Sequence, residues 1–134
     1  MNTYPDGNGS YDGYWFKSIK FGEGTYHYKS GAVYKGMWAK NTFNGHGVYT
    51  WASGEKYTGE WANGMRNGHG LNIFPSGEKY DGFWKDNKRH GPGKNEWTNG
   101  NIYDGSWADN KRNGCGVWNG KLSHWVDDKF QKNL

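Results

Sequence analysis

Three residues able to bind a metal recur in one frame of this sequence: His46 and His69 in NGHG, and Cys115 in NGCG. Imidazole and thiolate are zinc ligands, and zinc needs its donor atoms ~2.0–2.3 Å from one ion. The frames belong to successive copies of a repeat. If each copy is a pair of strands, equivalent residues stand ~9–10 Å apart, too open for one ion. No metal site is expected. The Gly-x-Gly pairs, such as Gly22 and Gly24, lack the third glycine and the following helix of a dinucleotide fingerprint. Asp81 and Glu96 are expected to face each other across a hairpin, as a like-charged surface pair rather than an acid–base couple. No Ser-His-Asp set is indicated, so no catalytic residue and no cofactor is assigned, and the chain reads as non-enzymatic.

What remains is aromatic and cationic, and it is periodic. Tyr11, Tyr34, Tyr57, Tyr80 and Tyr103 open five copies of a 23-residue unit. Periods of ~20–50 residues signal solenoids or arrays. Within a unit Tyr34, Gly36 and Trp38 alternate, as do Gly47, Tyr49 and Trp51; a period of two means strands. A loop such as AKNTFN joins the halves. Gly31, Gly54, Gly77 and Gly100 occupy tight turns between units, at the left-handed position after a type I turn. Each unit is therefore a β-hairpin, and the hairpins form a meander.

The register expected from this pattern sets Tyr26 opposite Gly36, Tyr28 opposite Tyr34 and Gly24 opposite Trp38. Across the loop it sets Trp38 opposite Gly47, Gly36 opposite Tyr49 and Tyr34 opposite Trp51. Opposed Cβ atoms lie only ~4.5–5.5 Å apart, so a glycine beneath each large ring gives it room. The core would be aromatics laid on glycines.

Composition fits. The 134 residues hold nine Trp, ten Tyr and 23 Gly, with a mean hydropathy of −1.16. Such polarity suggests disorder, but disordered segments are poor in aromatics, and aromatic rings bury large areas without aliphatic help. The lone Cys115 excludes an intrachain disulfide framework and fits a reducing compartment. No apolar run approaches the ~20 residues of a membrane helix, and the start lacks a signal-peptide pattern. A soluble chain is expected, in the cytoplasm, at the membrane periphery or at the cytoskeleton. The net charge of +4 is mild, and no nucleic-acid partner is expected.

The units closely resemble the MORN repeat (membrane occupation and recognition nexus): a Tyr-x-Gly-x-Trp strand, a loop, Gly-x-Gly, then a strand with an aromatic and a turn glycine. Tyr11-Gly13-Trp15 with Gly22-Gly24 carries the match, and each later unit repeats it over residues 11–120. Residues 1–10 read as a partial repeat or N-terminal cap. Asn72 and Asn95 depart from the pattern by replacing an aromatic. After Trp118 the pattern fails, with Gly120 where an aromatic belongs, Ser123 for a turn glycine and Val126 for a tyrosine. The resemblance implies an elongated, twisted, single-layer antiparallel sheet, ten strands spanning ~50 Å. In residues 121–134, Leu122, Trp125, Val126 and Phe130 lie near helical spacing, so the segment is either a short cap helix or a tail with one docked Trp.

Two surfaces are candidates for binding. A single-layer sheet leaves aromatic rings accessible, and Trp38, Trp51, Phe74, Trp84 and Trp97 are the expected partner-binding row. The loop edge gathers Lys17, Lys20, Lys40, Arg66, Lys85, Lys88, Arg89, Lys111 and Arg112 against Asp86 and Asp109. Of these, Arg66, Lys85, Lys88, Arg89, Lys111 and Arg112 are the expected contacts for an acidic partner or lipid. The leading reading is a scaffold that grips an extended or helical protein segment. The alternatives are a peripheral module for anionic phospholipid, which the family name suggests, and an extracellular carbohydrate or choline binder. Unpaired strands near Tyr11 and Trp118 call for caps or an end-to-end homodimer.

Overall fold

The computed structural model describes residues 2–134, and side chains from Gly7 onward; Met1, part of the expected N-terminal cap, lies outside. One open antiparallel sheet of thirteen strands follows strict sequence order. The chain enters through β1 (Asn2–Asp6). Five hairpins follow: β2 (Gly9–Phe16) with β3 (Ile19–Tyr28), β4 (Val33–Ala39) with β5 (Thr42–Thr50), β6 (Lys56–Ala62) with β7 (Met65–Ile73), β8 (Lys79–Lys85) with β9 (Lys88–Glu96), and β10 (Ile102–Ala108) with β11 (Lys111–Trp118). β12 (Lys121–Val126) and β13 (Lys129–Asn133) complete the sheet. The all-β meander expected from the period is the observed fold.

The register differs from the expected one. Gly36 faces Gly24 on one side and Gly47 on the other, while Tyr34 faces Tyr26 and Tyr49. Trp38 faces Gly22 and Phe43. Expected and observed alignments differ by an even step, which preserves the face of every side chain; a one-residue slip would have inverted it. The turns decide the alignment. Gly31 N–H donates to the Tyr28 carbonyl at 3.0 Å, and Tyr28 N–H donates to the Ala32 carbonyl at 2.8 Å. That closes the turn early, on His27 and Val33. Gly31 has φ +100°, the left-handed value expected of it.

The loop AKNTFN is not a loop. Lys40 and Asn41 alone form the turn, at φ +50° and +67°, and Ala39 pairs with Thr42. Two positive φ values define a type I′ turn, whose twist matches that of the flanking strands. The extra residues are absorbed further in, where Asn44 to His46 oppose Met37 in a β-bulge. Asn at the second turn position has a further use. The Asn41 carboxamide accepts from Lys20 N–H at 2.8 Å, Asn87 from Arg66 N–H at 2.9 Å, and Asn110 from Arg89 N–H at 2.9 Å. Each turn is thereby fastened to the hairpin before it.

All of the large buried side chains are on one face. Tyr11, Tyr34, Tyr57, Tyr80 and Tyr103 have no solvent exposure. Each ring lies across a facing glycine pair of its own hairpin. A Cβ on Gly47 or Gly70 would overlap the Tyr34 or Tyr57 ring. Aromatics on glycines is thus the correct principle, with the tyrosine of the same hairpin as the ring. Burial obliges both polar tips to find acceptors. Tyr34 Oη donates to the Met37 carbonyl at 2.8 Å, and Tyr57 Oη to that of Glu60 at 2.8 Å. Trp38 Nε1 donates to the Gly24 carbonyl at 3.0 Å, Trp84 to that of Gly70 at 3.1 Å, and Trp107 to that of Gly93 at 3.0 Å. Every such indole bond reaches into the preceding unit, so the repeats are cross-tied through their cores.

The C-terminal segment is a hairpin, not a helix, with its turn at Asp127 and Asp128. The expected offsets fail because the turn before it has shrunk to Asn119-Gly120. Ser123 consequently pairs with Gly116, as Gly105 pairs with Gly93. Ser123 therefore takes a strand-glycine position, and Trp125 takes the place of the repeat tryptophan. The Ser123 hydroxyl bridges the gap, accepting from Trp125 Nε1 at 2.8 Å and donating to the Gly116 carbonyl at 2.9 Å.

Candidate functional site

Of the five expected ring contacts, Trp38 and Trp84 are only 6% and 4% exposed. They belong to the core, because each indole must lie flat enough to reach a backbone carbonyl of the neighbouring unit. Their edges meet Tyr34 at 5.2 Å and Tyr80 at 5.1 Å, in T-shaped contacts. Trp51, Phe74 and Trp97 are half-buried and remain reachable. With Tyr28 they form a row, one per unit, at the start of each short turn. The row lies on the aromatic face, beside Tyr49 and Trp118.

The arginines expected on the open edge are folded onto this face. Arg66 Cζ stands 4.4 Å from the Trp84 ring centroid, Arg89 4.5 Å from Trp107 and Arg112 4.1 Å from Trp125. Arg66 donates through Nη1 to Asn72 Oδ1 at 3.2 Å, and Asn72 Nδ2 donates to Glu55 Oε2 at 3.1 Å. Arg89, Asn95 and Glu78 repeat the relay at 3.2 and 3.2 Å. Arg112 instead donates through Nε to Asp128 Oδ1 at 2.9 Å. Guanidinium is weakly hydrated and planar, so it tolerates stacking that would strip an ammonium of its water. Burial pulls Arg66 and Arg89 below the ordinary arginine range, opposed by Glu55 and Glu78. Burial pushes the Tyr57 and Tyr80 phenols up, and Tyr103 up to about 12. Lys85, Lys88 and Lys111 do lie exposed at the turn edge, next to Asp86 and Asp109.

The relay explains Asn72 and Asn95. They are the two fully buried amides of the face, each six residues after its arginine. The signal was present in the sequence: Arg66 with Asn72 and Arg89 with Asn95, against Phe43 with Tyr49. In the second unit Phe43 stacks on Tyr34 at 3.9 Å where arginine stands later.

The N-terminal half of the face is more open. A groove of about 560 Å³ crosses it, lined among others by Lys20, Tyr26, Tyr28, Lys29, Trp38 and Phe43, with no carboxylate in its wall among the described residues. It runs from the turn at Gly7 and Asn8 to the opposite turns at Asn41 and Gly64. Lys20 Nζ lies within 4.8 Å of the Trp15 centroid and 5.6 Å of Tyr26.

The remaining expectations fall on the opposite face. Asp81 does not face Glu96; it faces Lys94, and Glu96 faces Lys79. Asp81 accepts from His69 Nε2 at 3.0 Å, and Lys94 pairs with Glu96 at 3.4 Å. The alignment set by the turns puts a lysine opposite each carboxylate. His46, His69 and Cys115 face Glu60, Phe83 and His124. Among the described residues no three metal-binding side chains come together, and no helix is long and apolar enough to cross a membrane.

An open meander whose hairpins share a ladder of tyrosines, tryptophans and glycines is a repeat protein of the binding-scaffold kind. The MORN-repeat model matches residues 11–33, 34–56, 57–79, 80–102 and 103–120, and the chain belongs to the MORN-repeat family. No curated protein matches the chain.

Proposed function

We propose that this chain is a non-enzymatic scaffold that holds a segment of a protein partner on its aromatic face, inside the cell. One observation carries the reading: the groove of about 560 Å³, with Tyr26, Tyr28, Trp38 and Phe43 in its wall, two lysines and, among the described residues, no carboxylate. A segment lying there buries apolar side chains on rigid rings and brings acidic ones to Lys20 and Lys29. Trp51, Phe74 and Trp97 extend the surface toward later units. Rigid aromatics supply the desolvated anchor, and the lysines mainly speed encounter and fix orientation.

The test is affinity capture from the native cell, followed by binding kinetics with the recovered partner. Tyr28→Ala and Trp51→Ala should raise the dissociation rate, while Lys29→Glu should lower the association rate and flatten its salt dependence. Unchanged kinetics in all three would refute the reading. If, in addition, Lys85→Glu with Lys88→Glu abolishes binding to anionic vesicles, the phospholipid reading replaces it.

A further inference from the structure

The face opposite the groove carries scattered apolar side chains at Phe83, Ile102, Val117, Leu122 and Val126, each 36–49% exposed, and three aromatic rings gather at its N-terminal corner. Tyr14 and Phe16 are 51% and 63% exposed, and Ile19, Phe21 and Met37 are each at least 40% exposed. The rings touch one another, Tyr14 to Phe21 at 6.1 Å between centroids and Phe16 to Phe21 at 6.4 Å. The repeat supplies its own control. Phe16 pairs with Ile19 beside the turn, where later hairpins pair Ala39 with Thr42, Lys85 with Lys88 and Ala108 with Lys111. The fold requires no large apolar pair there.

We infer that this corner is the contact between two copies of the chain, related by a two-fold axis through the Phe16–Phe21 patch. Charge points to that occupant. Lys17 marks the outer end of the patch, at the turn, while Asp12 and Glu23 mark its inner end on the same two strands. Among the described residues none of the three has an ion-pair partner. An antiparallel two-fold lays the cationic end of one copy on the acidic end of the other, twice. An anionic bilayer would meet the two carboxylates with repulsion. Area agrees. Three rings of about 150–250 Å² each, half exposed, offer ~300 Å² of largely apolar surface, and Ile19 and Met37 bring it to ~450 Å². A standard interface buries ~800 Å² per partner, somewhat over half of it apolar, which is nearly the same amount. This contact is distinct from pairing of the open strands β1 and β13, and it leaves the groove free.

Sedimentation velocity of the full chain over a concentration series tests it. Concentration-dependent dimerisation is expected. Phe21→Glu should abolish it with the circular dichroism spectrum unchanged. Lys17→Glu and Glu23→Lys should each weaken it by roughly tenfold or more, because like charges then meet. The double variant should restore it. A monomer's sedimentation coefficient at every concentration overturns the proposal, as does a dimer indifferent to Phe21→Glu. Failure of the double variant to rescue overturns the antiparallel geometry. A monomer whose binding to anionic vesicles is lost in Phe21→Glu assigns the corner to a bilayer instead.

Discussion

Replacing Gly59 with alanine places one methyl group at the point where two strands and a ring converge. That Cβ would overlap the Cα of Gly70, lie 2.5 Å from the His69 carbonyl oxygen and 2.9 Å from the Tyr57 hydroxyl. Two of these neighbours are backbone of the partner strand, so no flexible side chain can yield. Either β6 and β7 part, or Tyr57 lifts from the glycine pair. Overpacking of this kind costs ~1–3 kcal/mol. Lifting the ring also breaks its buried 2.8 Å hydrogen bond to the Glu60 carbonyl, a further ~1–1.5 kcal/mol. The expected loss is ~2–4 kcal/mol, a large part of the ~5–15 kcal/mol that holds a typical domain. Gly7→Ala is the comparator, since a Cβ there meets nothing within 4 Å. Urea unfolding followed by tryptophan fluorescence should show a much lower midpoint for Gly59→Ala and almost none of that change for Gly7→Ala. A Gly59→Ala unfolding free energy within ~0.5 kcal/mol of the parent's, the range of an ordinary surface change, would refute the claim that the ring rests on the glycine pair.

Three other outcomes are expected. Arg89→Lys should destabilise nearly as much as Arg89→Ala, by ~1–3 kcal/mol in urea unfolding, because a lysine cannot reproduce both the stack on Trp107 and the bonds to Asn95 and Asn110. Phenol absorbance near pH 11 should show Tyr103, raised to about 12, still protonated; the folded state holds that proton more tightly than the unfolded one, so this stability is present below pH ~10 and is lost as pH rises through about 12. Arg66→Phe and Asn72→Tyr should each destabilise alone, yet together recreate the Phe43–Tyr49 pairing of the second unit and recover at least half of the summed loss, measured as a coupling energy in a double-mutant cycle.

The period, the strands and the buried face were legible because a sheet writes its faces with a period of two and a solenoid repeats the message. Register was less so. Tyr, Gly and Trp alternate identically in alignments that differ by an even step, and only the turn chemistry separates them. Asn63-Gly64 and Asn119-Gly120 carried that information, as strong type I′ signals, while AKNTFN concealed it by placing Lys40 at a positive φ. The C-terminal hairpin was hidden for a related reason. A two-residue turn replaced the longer one, so Ser123 and Trp125 arrived early and imitated helical spacing. The candidate row was half legible. Sequence marks a ring as part of one face, but whether Trp38 is exposed depends on how far its indole leans to reach the Gly24 carbonyl.

The two ends of the aromatic face solve one problem differently, and the difference bears on where a ligand can sit. A single-layer sheet has no second layer to cover its buried rings, so each Trp needs a lid from its own face. In the later units that lid is an arginine, held by Asn72, Asn95 or Asp128 and by the turn of the next hairpin. The guanidinium covers the indole, satisfies the buried amide and leaves little free cation on the face. In the second unit the lid is Phe43, and in the first it is Lys20 among Tyr11, Trp15, Tyr26 and Trp38. Neither draws an asparagine–glutamate relay behind it, so this half retains open volume and, among the described residues, lysines with no carboxylate beside them in the groove wall. The groove lies where the arginine lids stop. Introducing arginine lids into the first two units would extend the covered face, and the same physics that improved the packing would remove the cleft proposed to take a partner segment.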